Sequence, residues 1–364
     1  MSNELKKTYK PFYEWEKKSL QREYTESTPL LKPDGTLNAR GWARKNIFEY
    51  DRNLVKRERL ISRKEWDYYT VTDGRKQLLI SFANVGIGGF TGCRLIDLET
   101  GESNVDASTI FAGDKFVPLK RVDCPGRFSG KTGSTEFDFH TKENCRTVYF
   151  RKMHQGKLLE CTLEMDIPEG LENITTVLPF ENKPTMFFMT TKQNCMPVSG
   201  KLTWGDYSYS FSKEISFCSL DWGKVNTPRE MVWYWGSAAT YLPDENGNKH
   251  LFGFEITWAI GDESHATETC IFYDGKVHKI GAVDVEKFPK NRFMEEWKFI
   301  SEDGRFNLTM TPTFDNKSDL NIKIARMNCH QIYGKFNGDV TLDDGTKLEI
   351  RDLFAFCEYV ENKW

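Results

Sequence analysis

The sequence predicts an all-β chain of many short antiparallel strands, and two observations predict it. Turn pairs of the kind that close hairpins recur along it: Asp73-Gly74, Thr100-Gly101, Asn246-Gly247, Asp274-Gly275, Asp303-Gly304, Asn337-Gly338 and Asp344-Gly345. Asn-Gly and Asp-Gly tolerate the positive φ that tight hairpins demand, and here they separate apolar or alternating runs. In addition, 14% of the residues are Phe, Tyr or Trp, which favour strands and must fill a core or line a binding face. Long apolar stripes of helical period are missing. The pattern gives a sandwich or barrel rather than a parallel α/β sheet.

The elements follow in order. Residues 1–30 form a polar arm or short helix whose Tyr9, Phe12, Tyr13 and Trp15 are expected to dock on the body. Pro29, Pro33, Asp34 and Gly35 mark the first break. The most helix-like stretch is Arg44 to Leu60. Strands are expected over Leu78 to Val85, Thr185 to Thr191, Phe252 to Ile260 and Thr269 to Tyr273. Gly86 to Gly92 is glycine-rich, but Thr91 stands where a dinucleotide fingerprint needs its last glycine, so it reads as a bulged or bent strand. At roughly 150 residues per domain, 364 residues allow one large β domain or two smaller ones. β units spread along the whole chain favour two. A boundary near Pro197 to Lys201 gives an arm over 1–30, a first unit over 31–199 and a second over 200–364.

Charge and cysteine usage exclude several classes. The 50 basic and 53 acidic residues nearly balance, for a net charge of -3, without the basic excess of a nucleic-acid binder. The basic stretch Arg52 to Lys64 is interrupted by Leu54, Glu58, Leu60 and Ile61 and reads as a solvated face. Cys93, Cys124, Cys145, Cys161, Cys195, Cys218, Cys270, Cys329 and Cys357 are scattered and never spaced Cys-x-x-Cys, which suits reduced thiols in a reducing compartment. The start, Met-Ser-Asn-Glu-Leu-Lys-Lys, lacks the apolar stretch of a signal peptide, and no apolar run nears the ~18 residues of a membrane helix. A cytoplasmic protein without integral membrane association is expected. The histidines show no metal-ligand spacing, and neither a phosphate loop nor a Gly-x-Ser-x-Gly elbow is present, so neither a metal nor a cofactor is expected.

Three segments concentrate residues that can carry chemistry. In Lys64 to Tyr69, strand alternation puts Glu65, Asp67 and Tyr69 on one face and Lys64, Trp66 and Tyr68 on the other. Glu65 and Asp67 are an inward acid or anchor pair, or simply part of a half-exposed strand. In Leu220 to Gly236, aromatic clusters containing Trp222, Trp233 and Trp235 flank a loop with Asp221, Lys224, Arg229 and Glu230. A carboxyl held against such rings keeps its proton through desolvation and can act as a general acid. The alternative is that Asp221 caps a turn while Arg229 and Glu230 pair on the surface. The third segment combines Cys329 to Gly334, with His330 and Tyr333, and the terminal strand carrying Asp352, Phe354, Phe356 and Glu358 on one face. His330 is a catalyst or a satisfied core residue. His140 is a further histidine candidate.

These segments also carry a resemblance. Gly35-Thr36-Leu37-Asn38 with Gly41-Trp42-Ala43-Arg44, Lys64 to Tyr68, Asp97 to Gly101, Leu220-Asp221-Trp222-Gly223, His330 to Gly334 and the ending Glu358 to Trp364 resemble domain-of-unknown-function family 2804. More distantly, the Asp-Trp-Gly loop followed by Trp-x-Trp is similar to lipocalin-like proteins of the carotenoid 1,2-hydratase and tocopherol cyclase kind. That likeness implies two lipocalin-like β-barrel or sandwich units and a small hydrophobic ligand. It also implies acid-catalysed hydration or cyclisation of an isoprenoid double bond without a redox cofactor. Trp233-Tyr234-Trp235-Gly236 holds no acid, leaving Asp221 as the one carried over to this loop. The expectation is a binder of an isoprenoid- or lipid-like molecule, acting as a hydratase-like lyase or isomerase if catalytic. Asp221, His330 and Glu358 are its candidate catalytic residues. Trp222, Arg229, Trp233, Trp235, Tyr333, Glu65, Trp66 and Asp67 are its candidate binding residues. A non-catalytic carrier and a carbohydrate-binding or glycan-processing β protein are the alternatives.

Overall fold

The structure is a computed structural model and describes residues 19–285, 292–322 and 325–363. The chain is all-β, in two large antiparallel sheets. A short parallel ladder joins β1 (Thr28–Pro29) to β3 (Phe48–Glu49), and β2 (Gly41–Ala43) pairs with residues 175–177 at the edge of the first large sheet. The first large sheet contains β4 (Arg63–Thr72), β5 (Lys76–Asn84), β6 (Gly88–Asp97), β7 (Ser103–Ala112), β8 (Gly126–Thr132), β9 (Thr135–Thr141), β10 (Cys145–His154) and β11 (Lys157–Asp166). It continues with β12 (Ile174–Phe180), β13 (Lys183–Trp204), β14 (Tyr207–Phe211) and β15 (Phe217–Asn226). Ten of these run in the order β7-β6-β5-β4-β15-β13-β11-β10-β9-β8 and curl into a nearly closed barrel. A side-chain contact reaches across the gap from the end strand β7 to β9, next to the other end: Thr109 Oγ1 lies 2.6 Å from Thr135 Oγ1.

The second sheet holds β16 (Glu230–Pro243), β17 (Lys249–Trp258), β18 (Cys270–Tyr273), β19 (Lys276–Lys279), β20 (Val283–Val285), β21 (Trp297–Ser301), β22 (Phe306–Ile322), β23 (Ala325–Thr341) and β24 (Lys347–Lys363). Its order, β19-β18-β17-β16-β24-β23-β22-β21-β20, makes a curled half-barrel. The sheets change over at residues 227–229, whereas the boundary expected near 199/200 falls inside β13, which runs unbroken past it.

Six of the turn pairs lie at hairpin connections, as their positive-φ tolerance requires. Asn337-Gly338 does not. It sits within β23 at a register shift, and Gly338, at φ 140°, approaches the Asn307 carbonyl too closely for any side chain. The helix expected over Arg44 to Leu60 is also absent: that stretch holds β3 and one 3-10 turn, Arg52–Leu54. Its side chains are used tertiarily instead, Arg52 on Glu65 and Asp114 and Arg44 on Glu23 and Glu172, which overrides local propensity. The rings expected to dock from the arm, Tyr9 to Trp15, lie outside the described residues. Its described end runs beside the 264–265 segment and β2, with Leu20 and Arg22 donating to the Ser264 and His265 carbonyls.

The sheets make two separate cores. Inside the first barrel Phe82, Phe128, Phe137 and Phe139 pack on one another, Phe128 stacking on Phe139 at 4.7 Å. The half-barrel encloses Phe254, Trp258, Trp297, Phe299 and Phe336. A third apolar layer, with Trp66, Phe188 and Trp233, lies between the sheets. Its register explains one glycine. Gly223 on β15 pairs with Trp66 on β4, and a Cβ there would stand 2.1 Å from the indole. A Gly223→Ala substitution should therefore destabilise by about 1–3 kcal/mol, read from the urea midpoint. The loss should shrink in a Trp66→Leu background, where the clash is gone.

Candidate functional site

Strand alternation sends successive side chains of β15 to opposite compartments. Cys218, Leu220 and Trp222 enter the barrel core, while Ser219 and Asp221 face the second sheet. On β13, Lys192 takes the same outward face. The second sheet answers with Trp233, Trp235 and Ser237 of β16, Glu255 and Thr257 of β17, Gln331 and Tyr333 of β23, and Phe356 and Glu358 of β24. Polar and aromatic groups thus meet where two sheets press together.

At the centre stands Lys192, 3% exposed. Its Nζ lies 2.9 Å from Asp221 and 3.9 Å from Glu268, and 4.4 Å from the centre of the Trp235 ring. Burial opposes its charge, but the carboxylates of Asp221, Glu268 and Glu255 outweigh that and hold it protonated. Glu255 is fully buried and gathers donors. Oε1 accepts from Asn194 Nδ2 at 2.8 Å, Ser237 Oγ at 2.8 Å and Ser219 Oγ at 3.0 Å, and Oε2 from Trp235 Nε1 at 2.6 Å. Glu358 accepts from Trp233 Nε1 at 3.0 Å and Gln331 Nε2 at 3.4 Å. Gln331 in turn accepts from Tyr333 Oη and Asn316. Glu268 has no well-formed hydrogen bond at either oxygen.

Asn194 reaches Glu255 because β13 bulges there. The ladder with β15 shifts between Gln193 and Met196, and Cys195 takes φ 60°, a conformation that costs a residue with a side chain. The bulge fits only against Gly253, where a Cβ would lie 2.6 Å from Cys195 Sγ. A small cleft, about 20 Å³ of it enclosed, runs between the sheets to this point. Thr70, Thr72 and Gln77 line it together with Phe217, Phe356 and the two serines, Ser219 and Ser237, which stand between the cleft and Glu255.

Residues 21–364 match the profile of a domain of unknown function, DUF2804. The chain belongs to that family. Two solved structures are similar to it at low identity. Kievitone hydratase from Nectria haematococca is 12% identical, with a TM-score of 0.37 over 92% of this chain and 98% of that one. An AttH-type protein from Nitrosomonas europaea is 13% identical, with a TM-score of 0.40 over 83% of this chain and 92% of that one. Among curated proteins none matches the sequence.

In this DUF2804 protein the structure brings only some of the sequence candidates together. Asp221, Trp233, Trp235, Tyr333 and Glu358 share the inter-sheet layer, and Trp66 flanks it against Phe188. Trp222 does not join them. It lies on the other face of β15 from Asp221, inside the barrel, with Nε1 on the Leu119 carbonyl. Glu65 and Asp67 also point into the barrel, as the alternation predicts, and are therefore cut off from Trp66. His330 faces the half-barrel, Nδ1 2.6 Å from Asp315 and its ring stacked on Phe293. Arg229 is exposed, and its neighbour Glu230 pairs with Lys363 instead. His140 is a half-buried strand residue of β9. Asp221 makes an ion pair with Lys192 and is not an isolated acid among rings.

The groups missed in the sequence are Lys192, Glu255 and Glu268. Glu255 left a signal, as the single acid inside the apolar run Phe252 to Ile260. Lys192 and Glu268 left none, since each sits among polar neighbours.

Burial pushes the carboxyls of Glu255, Glu268 and Glu358 up from 4.5 to about 7, against the pull of Lys192 and, for Glu255 and Glu358, of the indole N–H groups. An acid whose folded pKa exceeds its unfolded value binds its proton more tightly in the native state. Its contribution to stability is complete below about 4.5 and is lost as pH rises through about 7. Chemical denaturation at pH 5 and pH 8 should show the protein less stable at pH 8, by about 3 kcal/mol for one such group. Glu255→Gln should flatten that slope. Lys192→Met, which strands the carboxylates without a cation, should steepen it and cost about 3–5 kcal/mol at pH 8.

Proposed function

We propose that the protein binds a small, largely apolar molecule in the inter-sheet cleft and presents Glu255 to it as a proton donor and acceptor. The observation that carries this reading is a buried carboxyl, poised near neutrality, behind two hydroxyls at the end of a small cleft with a mixed polar and apolar lining. The chemistry it allows is hydration, elimination or isomerisation without a cofactor. In hydration, Glu255 would deliver a proton through Ser219 or Ser237 to one carbon of a double bond. A water oxygen would bond to the other carbon, and the proton it releases would return to the carboxylate. Lys192, Asn194 and the Trp235 N–H stabilise the anion formed in between. The acid role expected of Asp221 thus passes to Glu255, and Asp221 holds Lys192 in position.

A carrier without catalysis is the second reading, favoured by the completeness of Glu255's hydrogen bonds. A glycan platform has less support, because Trp222 and Trp235 are buried and Trp66 and Trp233 are packed between the sheets, not aligned along an open groove.

The test is binding and turnover on isoprenoid, fatty acyl and sugar panels, with native mass spectrometry of whatever co-purifies. An apolar ligand should bind the wild type and Glu255→Gln with similar affinity, while turnover falls by about 10²- to 10⁴-fold in the variant. Unchanged turnover removes Glu255 as the acid. Binding without turnover in the wild type selects the carrier. Preference for the sugars overturns both.

A further inference from the structure

We propose that one corner of the first barrel is a docking surface for an anionic lipid membrane, on which exposed apolar side chains enter the acyl region and surrounding cations meet the headgroups. Three separate segments build it. On the hairpin of β6 and β7, Phe90 pairs with Ile110, and both point outward because Thr91 and Phe111 beside them are buried. Ile110 is 85% exposed and Phe90 40%. Ile87, 47% exposed, stands in the turn between β5 and β6, where its carbonyl accepts from the Gly113 N–H just past β7. The 57–60 segment leans on the same turn: a Cβ on Gly86 would lie 3.1 Å from Arg57 Nη1 and 3.1 Å from the Leu60 carbonyl. Leu60 itself is 68% exposed.

Four large apolar side chains thus stand in water at one corner of the barrel. They are not scattered singly, which would call for no explanation. Trp66, Ala83, Phe90 and Ile110 are successive partners across β4, β5, β6 and β7, so the patch is the outer end of an apolar row that starts in the layer between the sheets.

The charge around the patch selects the partner. Arg57 is exposed and donates to the Leu60 carbonyl, and exposed Lys115 follows the end of β7. Arg59 donates to the Thr227 carbonyl at 2.9 Å, near exposed Arg229, and burial together with the Arg229 charge lowers its pKa. Of the acids in these segments, Asp114 is clamped by Arg52 and Arg63, which leaves Glu58 against the four cations Arg57, Arg59, Lys115 and Arg229. Apolar groups that insert, ringed by cations drawn to acidic headgroups, are what a peripheral membrane surface requires. A second copy of the chain fits worse, because a two-fold contact would set these cations against their own copies. A protein partner is usually anchored by large rings and arginines at a buried centre, whereas the two most exposed apolar groups here, Ile110 and Leu60, are aliphatic. The surface is separate from Glu255 and its cleft, and stands or falls without the chemistry proposed there.

Flotation of the full chain with phosphatidylcholine vesicles, with and without phosphatidylserine, tests this at low and high salt. The protein should float with the phosphatidylserine vesicles, should stay largely free of the neutral ones, and should be released as salt rises. Ile110→Asn and Leu60→Asn should each lower the bound-to-free ratio by about fivefold, and Arg57→Gln with Arg229→Gln by about tenfold or more. Ile215→Asn should change nothing, since Ile215, 48% exposed, precedes β15 whereas Thr227 follows its far end. Should a variant fail to fold, the lipid and salt contrasts of the wild type decide. No flotation, equal flotation with both vesicles, or full flotation of the folded patch variants would overturn the assignment. So would a dimer in sedimentation that Ile110→Asn abolishes while no vesicle is bound, which would give the patch to a second copy.

Discussion

One buried ammonium lets the two sheets meet. The face that β15 turns towards the second sheet carries Asp221, those that β17 and β24 turn back carry Glu255 and Glu358, and the connection from β17 to β18 adds Glu268. Without a cation these acids would repel one another in a medium too dry to screen them. Lys192 supplies that cation, and four acids facing one ammonium leave negative charge in excess. Part of the excess is removed by protonation, which is why burial can hold three carboxyls near neutrality at once. Packing and protonation are therefore the same event: the closer the sheets, the drier the layer and the more firmly the protons stay.

Two-faced strands keep this layer apart from the barrel. Along Leu220-Asp221-Trp222-Gly223-Lys224 the side chains go in, out, in, none and in. One short run therefore furnishes two unrelated environments, an ion pair between the sheets and a tryptophan and lysine inside the barrel. Gly223 is the necessary gap, since the Trp66 indole occupies the space its side chain would take. Sequence adjacency here means spatial separation.

That geometry explains what the sequence disclosed. Hairpin turns are local, so Asp73-Gly74 and its counterparts marked the connections correctly. A bulge depends on the partner strand, so Asn337-Gly338 looked like a turn. The face-sharing of Glu65, Asp67 and Tyr69 follows from a period of two and was legible, whereas which face met which sheet was not. Trp222 and Trp235 read as two walls of one pocket because they flank one loop. They belong to different cores, since β15 stays in the first sheet and β16 begins the second. Lys192 and Glu268 are far apart in sequence and surrounded by polar residues, and only tertiary pairing gives them meaning.

The two buried polar clusters differ in what they leave unfinished. Between the sheets four donors match the four acceptor sites of the Glu255 carboxylate. Inside the barrel both kinds are left over, Arg146 Nε among the donors and Glu65 Oε1 and Asp67 Oδ1 among the acceptors. A fold that satisfied both clusters internally would be more stable. Unpaired polar atoms inside the barrel cost stability at any pH, whereas the carboxyls between the sheets lose their contribution only as pH rises, so the two clusters weaken the fold in different ways.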